Sequence, residues 1–307
     1  MNRAIITGPT GSIGIALINE LVKNKVEVIA VCRPGSKRMS RIPKCDKVKI
    51  VECGLEEIYK LSELVKDKVD VFYHFAWDGT FGNTRNDMEL QNNNVKYALE
   101  AVKTAKILGC HKFVGAGSQA EYGRVEGTLT PDTPAFPENG YGIAKLCAGQ
   151  MTRIMCEQLG AEHVWTRILS IYGPYDGENT MIMSTIYKLL KGEKPSLTAG
   201  EQMWDYMYSK DVARAFYLVG EKGKNGSTYC LGSGNARLLK EYVMMLRDAI
   251  DSQLPLGIGD VPYGDKQVMY LCANIDNLRE DTGFVPEISF EEGIKETIEW
   301  CKNTVLM

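Results

Sequence analysis

Tyr141 and Lys145 lie four residues apart, the spacing that puts two side chains on one helix face about one turn apart. A phenol with an ordinary pKa of about 10 is a poor acid–base group at neutral pH. An ammonium beside it favours the phenolate and brings that pKa toward the working range of a general acid–base catalyst. A Tyr-x-x-x-Lys pair by itself is common and usually only a surface pair. This one gains weight from Ser118, which lies upstream at the end of an apolar run, in Gly115-Ala116-Gly117-Ser118-Gln119-Ala120-Glu121-Tyr122-Gly123.

A second chemical stretch opens the chain. The apolar run Ala4–Ile6 turns through Thr7-Gly8-Pro9-Thr10-Gly11-Ser12-Ile13-Gly14 into a helical pattern over Ile15–Val22 and then a strand pattern over Val26–Val31. Strand, glycine turn, helix, strand is the context of a dinucleotide site. Gly8 permits the tight turn, Gly11 lets backbone N–H groups approach a pyrophosphate, and Gly14 lets the helix lie against the sheet. The phosphates would sit on the positive helix end among Thr10, Ser12 and Ile13. An acid roughly 20 residues further on would accept the ribose hydroxyls of NAD. Cys32 stands there, followed by Arg33, Ser36, Lys37 and Arg38, which could bind a 2′-phosphate. The expectation is NADP(H) in preference to NAD(H). A solvated basic loop is the competing reading, since Arg41, Lys44, Lys47 and Lys49 continue the run.

Alternating elements must carry these residues. Strand patterns recur at Val48–Val51, Val69–Phe75, Lys112–Ala116 and Val164–Ile171, with helical patterns at Glu56–Val65, Asp87–Leu108 and Tyr141–Leu159 between them. This rhythm predicts an α/β doubly wound parallel sheet of the Rossmann type with a second, smaller substrate-binding lobe. The expected division is 1–172 plus 209–228 for the nucleotide-binding lobe and 173–208 plus 229–307 for the other. Ser209–Val219 reads as a helix returning to the first lobe. Ser289 and Glu292 form a capping box ahead of Ile294, Ile298 and Trp300. The 307 residues are 44% hydrophobic and 24% charged, with net charge −3, which disfavours a nucleic-acid partner. Nine scattered cysteines read as reduced thiols, no apolar run reaches a membrane span, and a strand begins at once, so a cytoplasmic chain is expected. His111 and His163 have no companions at metal-ligand spacing, and no metal is expected.

Thr-Gly-x-x-Gly-x-x-Gly with Ser118, Tyr141 and Lys145 resembles the short-chain dehydrogenase/reductase superfamily, and more narrowly its extended epimerase/dehydratase branch. The likeness runs to Gly283-Phe284-Val285-Pro286 and the last helix. It implies that Ser118 orients the reacting oxygen, Tyr141 moves the proton, and Lys145 tunes Tyr141 and holds the nicotinamide ribose. Asn94 matches the asparagine that supports the lysine through water. In His74-Phe75-Ala76-Trp77, Ala76 would touch cofactor and His74 would be structural. Gly54-Leu55 replaces an Asp-Leu pair against adenine, leaving Leu55 as the contact. Trp77, Gln119, Ser170 and Trp204 fall on the substrate side. Trp204 stands in place of an arginine that clamps diphosphate, and Ser170 in place of an asparagine. Gln119-Ala120 supply no acid after Ser118, which argues against a 4,6-dehydratase. The variants look most like 4-ketosugar reductases of the abequose-synthase type. A nucleotide-diphosphate sugar, hydride from NADPH and a homodimer through the Asp87–Leu108 and Tyr141–Leu159 helices are what the resemblance implies. A UDP-glucose-type 4-epimerase with tightly bound NAD is the alternative. A non-catalytic NADP sensor is a minor one, because sensors tend to lack the Tyr and Lys.

Overall fold

Ala4, Ile5 and Ile6 have no solvent exposure, so the first strand can only be a central one, buried on both faces. In this computed structural model, which describes residues 1–305, the first half runs β1 (Arg3–Thr7), α1 (Ser12–Lys23), β2 (Glu27–Cys32), β3 (Val48–Glu52), α2 (Leu61–Leu64), β4 (Val71–His74), α3 (Met88–Ile107), β5 (Lys112–Ser118), α4 (Gly140–Leu159) and β6 (Glu162–Ile168). The rest runs β7 (Ser170–Tyr172), α5 (Met181–Leu190), β8 (Ser196–Leu197), β9 (Met203–Trp204), β10 (Tyr206–Tyr208), α6 (Ser209–Lys222), β11 (Thr228–Leu231), β12 (Arg237–Leu238), α7 (Leu239–Ile250), β13 (Gly257–Ile258), β14 (Tyr270–Leu271), α8 (Asp276–Thr282) and α9 (Phe290–Val305).

Seven parallel strands form one sheet in the order β3-β2-β1-β4-β5-β6-β11. This is the doubly wound Rossmann-like α/β fold. Ile6, Leu17, Ile18 and Phe216 pack the face covered by α1 and α6, and Ile5, Phe72, Val102 and Phe113 pack the face covered by α3 and α4. Chain order reverses direction between β1 and β4, and the crevice at such a switch point is where α/β sheets bind ligands. A separate core of Tyr172, Ile182, Tyr208, Tyr242, Phe290 and Ile294 joins the C-terminal elements. The expected capping box forms: Ser289 N–H donates to Glu292 Oε2 at 3.0 Å, and Glu292 N–H to Ser289 Oγ at 3.2 Å.

Three expectations need correction. The segment expected as a helix over Glu56–Val65 is a 3₁₀ turn, Leu55–Lys60, plus the single α-turn α2. Its buried pair, Ile58 and Leu61, is three apart, the spacing that 3₁₀ geometry stacks on one side. The run Val164–Ile171 divides: β6 stays in the large sheet, while β7 pairs with β10. Apolar content alone does not reveal that its two ends enter different cores. Finally, β11 enters the large sheet through Leu231, so Tyr229–Leu231 leave the lobe to which the sequence division assigned them. All nine cysteines are unpaired. Among the described residues no helix is long and apolar enough to cross a membrane.

Candidate active site

Beyond the carboxyl ends of β1 and β4 lies an open cleft of about 830 Å³, lined by Gly8, Thr10, Arg33, Ser36, Leu55 and Ala76 among others. Gly8 has φ +69° and a Cβ there would lie 2.7 Å from Ala76 N, so neither the turn nor the neighbouring strand end admits a side chain. A Cβ at Gly14 would meet Gly8 O at 2.6 Å. This glycine fits α1 against the turn itself rather than against the sheet. A Cβ at Gly11, by contrast, would point into open space. Gly11 caps α1 without any side-chain bond, and the buried Ser12 hydroxyl has no partner among the described residues. Ile13, half-buried, anchors the turn in the core beneath. Free N–H groups at a helix start, beside an unpaired hydroxyl and open space, suit a dinucleotide pyrophosphate.

At the end expected to hold a ribose, Arg33, Ser36 and Arg38 line the cleft, whereas Lys37 is exposed outside it. Two residues were missed from the sequence. Glu52 on β3, the register partner of Cys32, accepts from Gly35 N–H at 2.9 Å and brings a carboxylate to this loop. Arg41, taken as part of a solvated run, donates to Thr10 O at 3.4 Å and lies 5.4 Å from the Tyr175 ring centre. The signal for Glu52 is register; nothing in local sequence marks Arg41. Leu55, Cys53 and Ile58 form the apolar far end.

The residues expected to do acid–base work meet where β5 ends and α4 begins. The Asn139 side chain caps α4 by accepting from Gly142 N–H at 2.9 Å, which sets Tyr141 in the first turn. Ser118 ends β5, and its Oγ accepts from Ala120 N–H at 3.2 Å. Burial raises the Tyr141 pKa, while Ser118 and the Arg85 charge pull it down. Lys145 is 4% exposed. Its Nζ donates to Ala116 O at 2.6 Å and lies 3.8 Å from the centre of the Trp77 indole and 5.7 Å from that of Tyr141. Burial lowers its pKa to about 7, against the opposing charge of Glu121. The cation nearest the phenol ring is instead Arg85, with Cζ 4.5 Å from the ring centre.

The surrounding frame also differs from expectation in detail. Asn94 is the buried one of its three asparagines. Its amide clamps Asp78 in the loop after β4, accepting from N–H at 3.0 Å and donating to O at 2.8 Å. Gln91, unmarked in the sequence, accepts from Trp77 Nε1 at 2.8 Å and donates to Gly79 O and Thr84 O. Trp77 was expected on the substrate side, but it lines the first cleft and meets Tyr141 edge-on at 6.3 Å. His74 Nδ1 pairs with Thr7 Oγ1 at 3.0 Å, yet its buried Nε2 has no partner among the described residues. Its pKa falls to about 3 through burial. Behind Ser118, fully buried Glu121 accepts from Arg167 at 2.8 Å, Trp165 at 3.0 Å and Ser118 N–H at 2.9 Å.

A second cleft of about 970 Å³ lies in the C-terminal elements, lined by Met181, Gln202, Trp204, Tyr206, Lys240 and Val243 among others. Trp204 lines this cleft, and its Nε1 donates to Oγ of Ser170, the other residue singled out in the sequence, at 2.8 Å. Gln119 is half-buried, and its side chain has no protein partner among the described residues.

Known proteins resemble this chain in sequence and in fold. The chain is 26% identical to a UDP-glucose 4-epimerase of Azospirillum brasilense over 97% of its own length and 91% of that protein. It is 28% identical to a dTDP-glucose 4,6-dehydratase of Shigella flexneri, in an alignment that takes in 56% of the chain but about half (50%) of that relative. In fold it is similar to the UDP-N-acetylglucosamine 4-epimerase of Methanobrevibacter ruminantium, solved with UDP-N-acetylmuramic acid. The TM-score is 0.89 at 22% identity, covering 99% of both chains. The pattern of the NAD dependent epimerase/dehydratase family matches residues 4–232, which takes in the glycine turn, the β5 end, the α4 pair and β11 together. The chain belongs to that family and is an enzyme of the short-chain dehydrogenase/reductase type.

Proposed function

We propose that the protein is an NADPH-dependent reductase of a nucleotide-linked 4-ketosugar. One observation carries the direction: Arg33, Ser36 and Arg38 line the ribose end of the first cleft, and buried Cys32 occupies the place of an acid. Cations there favour a 2′-phosphate, and a reductase exchanges its cofactor every turn. The sugar nucleotide would enter beside Trp204 in the second cleft, reaching toward Tyr141. A bound nicotinamide supplies hydride chemistry to the sugar carbonyl. Ser118 orients the carbonyl oxygen, and Tyr141 gives it the phenolic proton. Lys145, fixed on Ala116 O, is placed to hold the ribose. Gln119 and buried, apolar Ala120 follow Ser118, so the two positions directly after it offer no acid for eliminating water. The exposed stripe Ile143, Cys147, Met151 and Ile154 on α4 supports a homodimer through α3 and α4.

A 4-epimerase is the second reading, favoured by Glu52. Its carboxylate beside Gly35 could accept ribose hydroxyls and retain NAD. The deciding experiment follows NADPH consumption with a 4-keto-6-deoxy nucleotide sugar, and 4-epimer formation with no cofactor added. Consumption of NADPH, weakened in Arg33→Ala far more than with NADH, supports the reductase. The difference should reach ~1.5–3 kcal/mol, the worth of a hydrogen bond to a charged group. Stoichiometric NAD that survives gel filtration, together with epimer formation, overturns it.

A further inference from the structure

The groups around Tyr141 come from every element packed against it. Lys145 lies on its own helix, Ser118 at the end of β5 and Glu121 in the turn after it, Trp77 in the loop after β4, and Arg85 in the 3₁₀ turn Gly82–Asn86 before α3. Of the two cations, Lys145 is committed elsewhere: its ammonium is bonded to Ala116 O and covered by the Trp77 indole, 5.7 Å from the phenol ring. Arg85 is closer, at 4.5 Å over the ring face. It is also held in place. Its Nη1 donates to Thr80 O at 3.0 Å, and the adjacent Asn86 Oδ1 accepts from Gly140 N–H at 2.9 Å, tying this turn to the start of α4. The Arg85 carbonyl lies so close to Gly140 that a Cβ there would approach it to 2.9 Å. Gln91 secures the other side of the turn through Gly79 O and Thr84 O.

We propose that Arg85 is a positioning residue for proton transfer, the fixed positive charge that stabilises the phenolate form of Tyr141. This rests on Tyr141 being the acid–base group. A guanidinium stays protonated at every working pH, and over an aromatic face it stabilises negative charge developing on that ring. Burial lowers the Lys145 pKa to about 7, so its charge varies with pH where that of a guanidinium does not. The Glu121 charge acts in the opposite sense.

The test needs no substrate. A fluorinated tyrosine, more acidic than the native phenol, is placed at position 141, and its ¹⁹F resonance is titrated in the full chain, alone and with Arg85→Met, Arg85→Lys or Asn86→Ala. Removing the cation should raise the midpoint by about one pH unit, a tenfold change in ionisation. Arg85→Lys should restore most of it. Asn86→Ala, which breaks the tie to α4 but keeps the charge, should leave it within about a third of that shift. An unmoved midpoint in Arg85→Met overturns the proposal, as does an equal shift in Asn86→Ala, which would make Arg85 a structural anchor only. Failure of the functional reading shows separately, as Tyr141→Phe with undiminished turnover.

Discussion

The glycine turn after β1 and the acid–base cluster after β5 stand on neighbouring parts of one sheet, yet they are built from different materials. The turn is backbone: Gly8 and Gly14 are required because atoms of Ala76 and of the turn itself fill the space a Cβ would take. Its ligand groups are N–H donors that any helix start supplies. The cluster is side chain, and much of it is charge brought out of water. Burial raises the Tyr141 pKa and lowers that of Lys145. Each must be answered by neighbours from other elements: Arg85 for the phenol, Ala116 O and Trp77 for the ammonium. A backbone site is complete within eight residues of sequence, whereas a side-chain site is complete only when distant segments arrive.

The largest effect expected lies in the cluster. Tyr141→Phe keeps the ring but removes the proton, so turnover should fall by roughly 10²–10⁴ while the cofactor binds nearly as before. Parallel turnover and cofactor titrations check this. Equal loss of both would mean that the two regions are not separable.

The glycine turn sharpens the contrast from the other side. Gly8→Ala meets both a positive φ and a backbone clash, and should destabilise the fold by ~3 kcal/mol or more. Gly11→Ala adds a methyl to open space at φ −84°. It should leave unfolding within ~1 kcal/mol of the parent, yet weaken the cofactor by about tenfold, or ~1.4 kcal/mol. Denaturant unfolding with and without cofactor separates the two, and similar behaviour of both variants would show that the turn is only structural.

A smaller, conditional effect tests buried charge. In the unfolded chain Lys145 titrates near the ordinary lysine value of 10.5, and burial in the fold lowers this to about 7. Between those values the unfolded state holds the extra proton, so stability rises with pH across this window. Below about pH 7 the lysine is charged in both states and its burial opposes folding. Lys145→Met should therefore stabilise the cofactor-free protein at pH 6, by at most on the order of 4 kcal/mol, with the gain shrinking toward pH 10. Thermal melts across that range measure it. A gain independent of pH would trace to packing instead.

The sequence by itself determined what depends on local spacing. The alternation of elements, the glycine turn, the Ser118–Tyr141–Lys145 set and the last helix cap were all legible, because each is written within a few residues or one helical period. Tertiary structure decided the rest. Glu52 reaches the ribose loop through strand register, and Arg41 reaches Thr10 across a turn. Arg85 reaches Tyr141 because Asn86 and Gln91 bind its turn to two helices. Trp204 meets Ser170 only because β7 leaves the large sheet. Electrostatic environment is a sum over neighbours in space. For that physical reason the candidates for acid–base work could be named along the chain, while the charges that surround them could not.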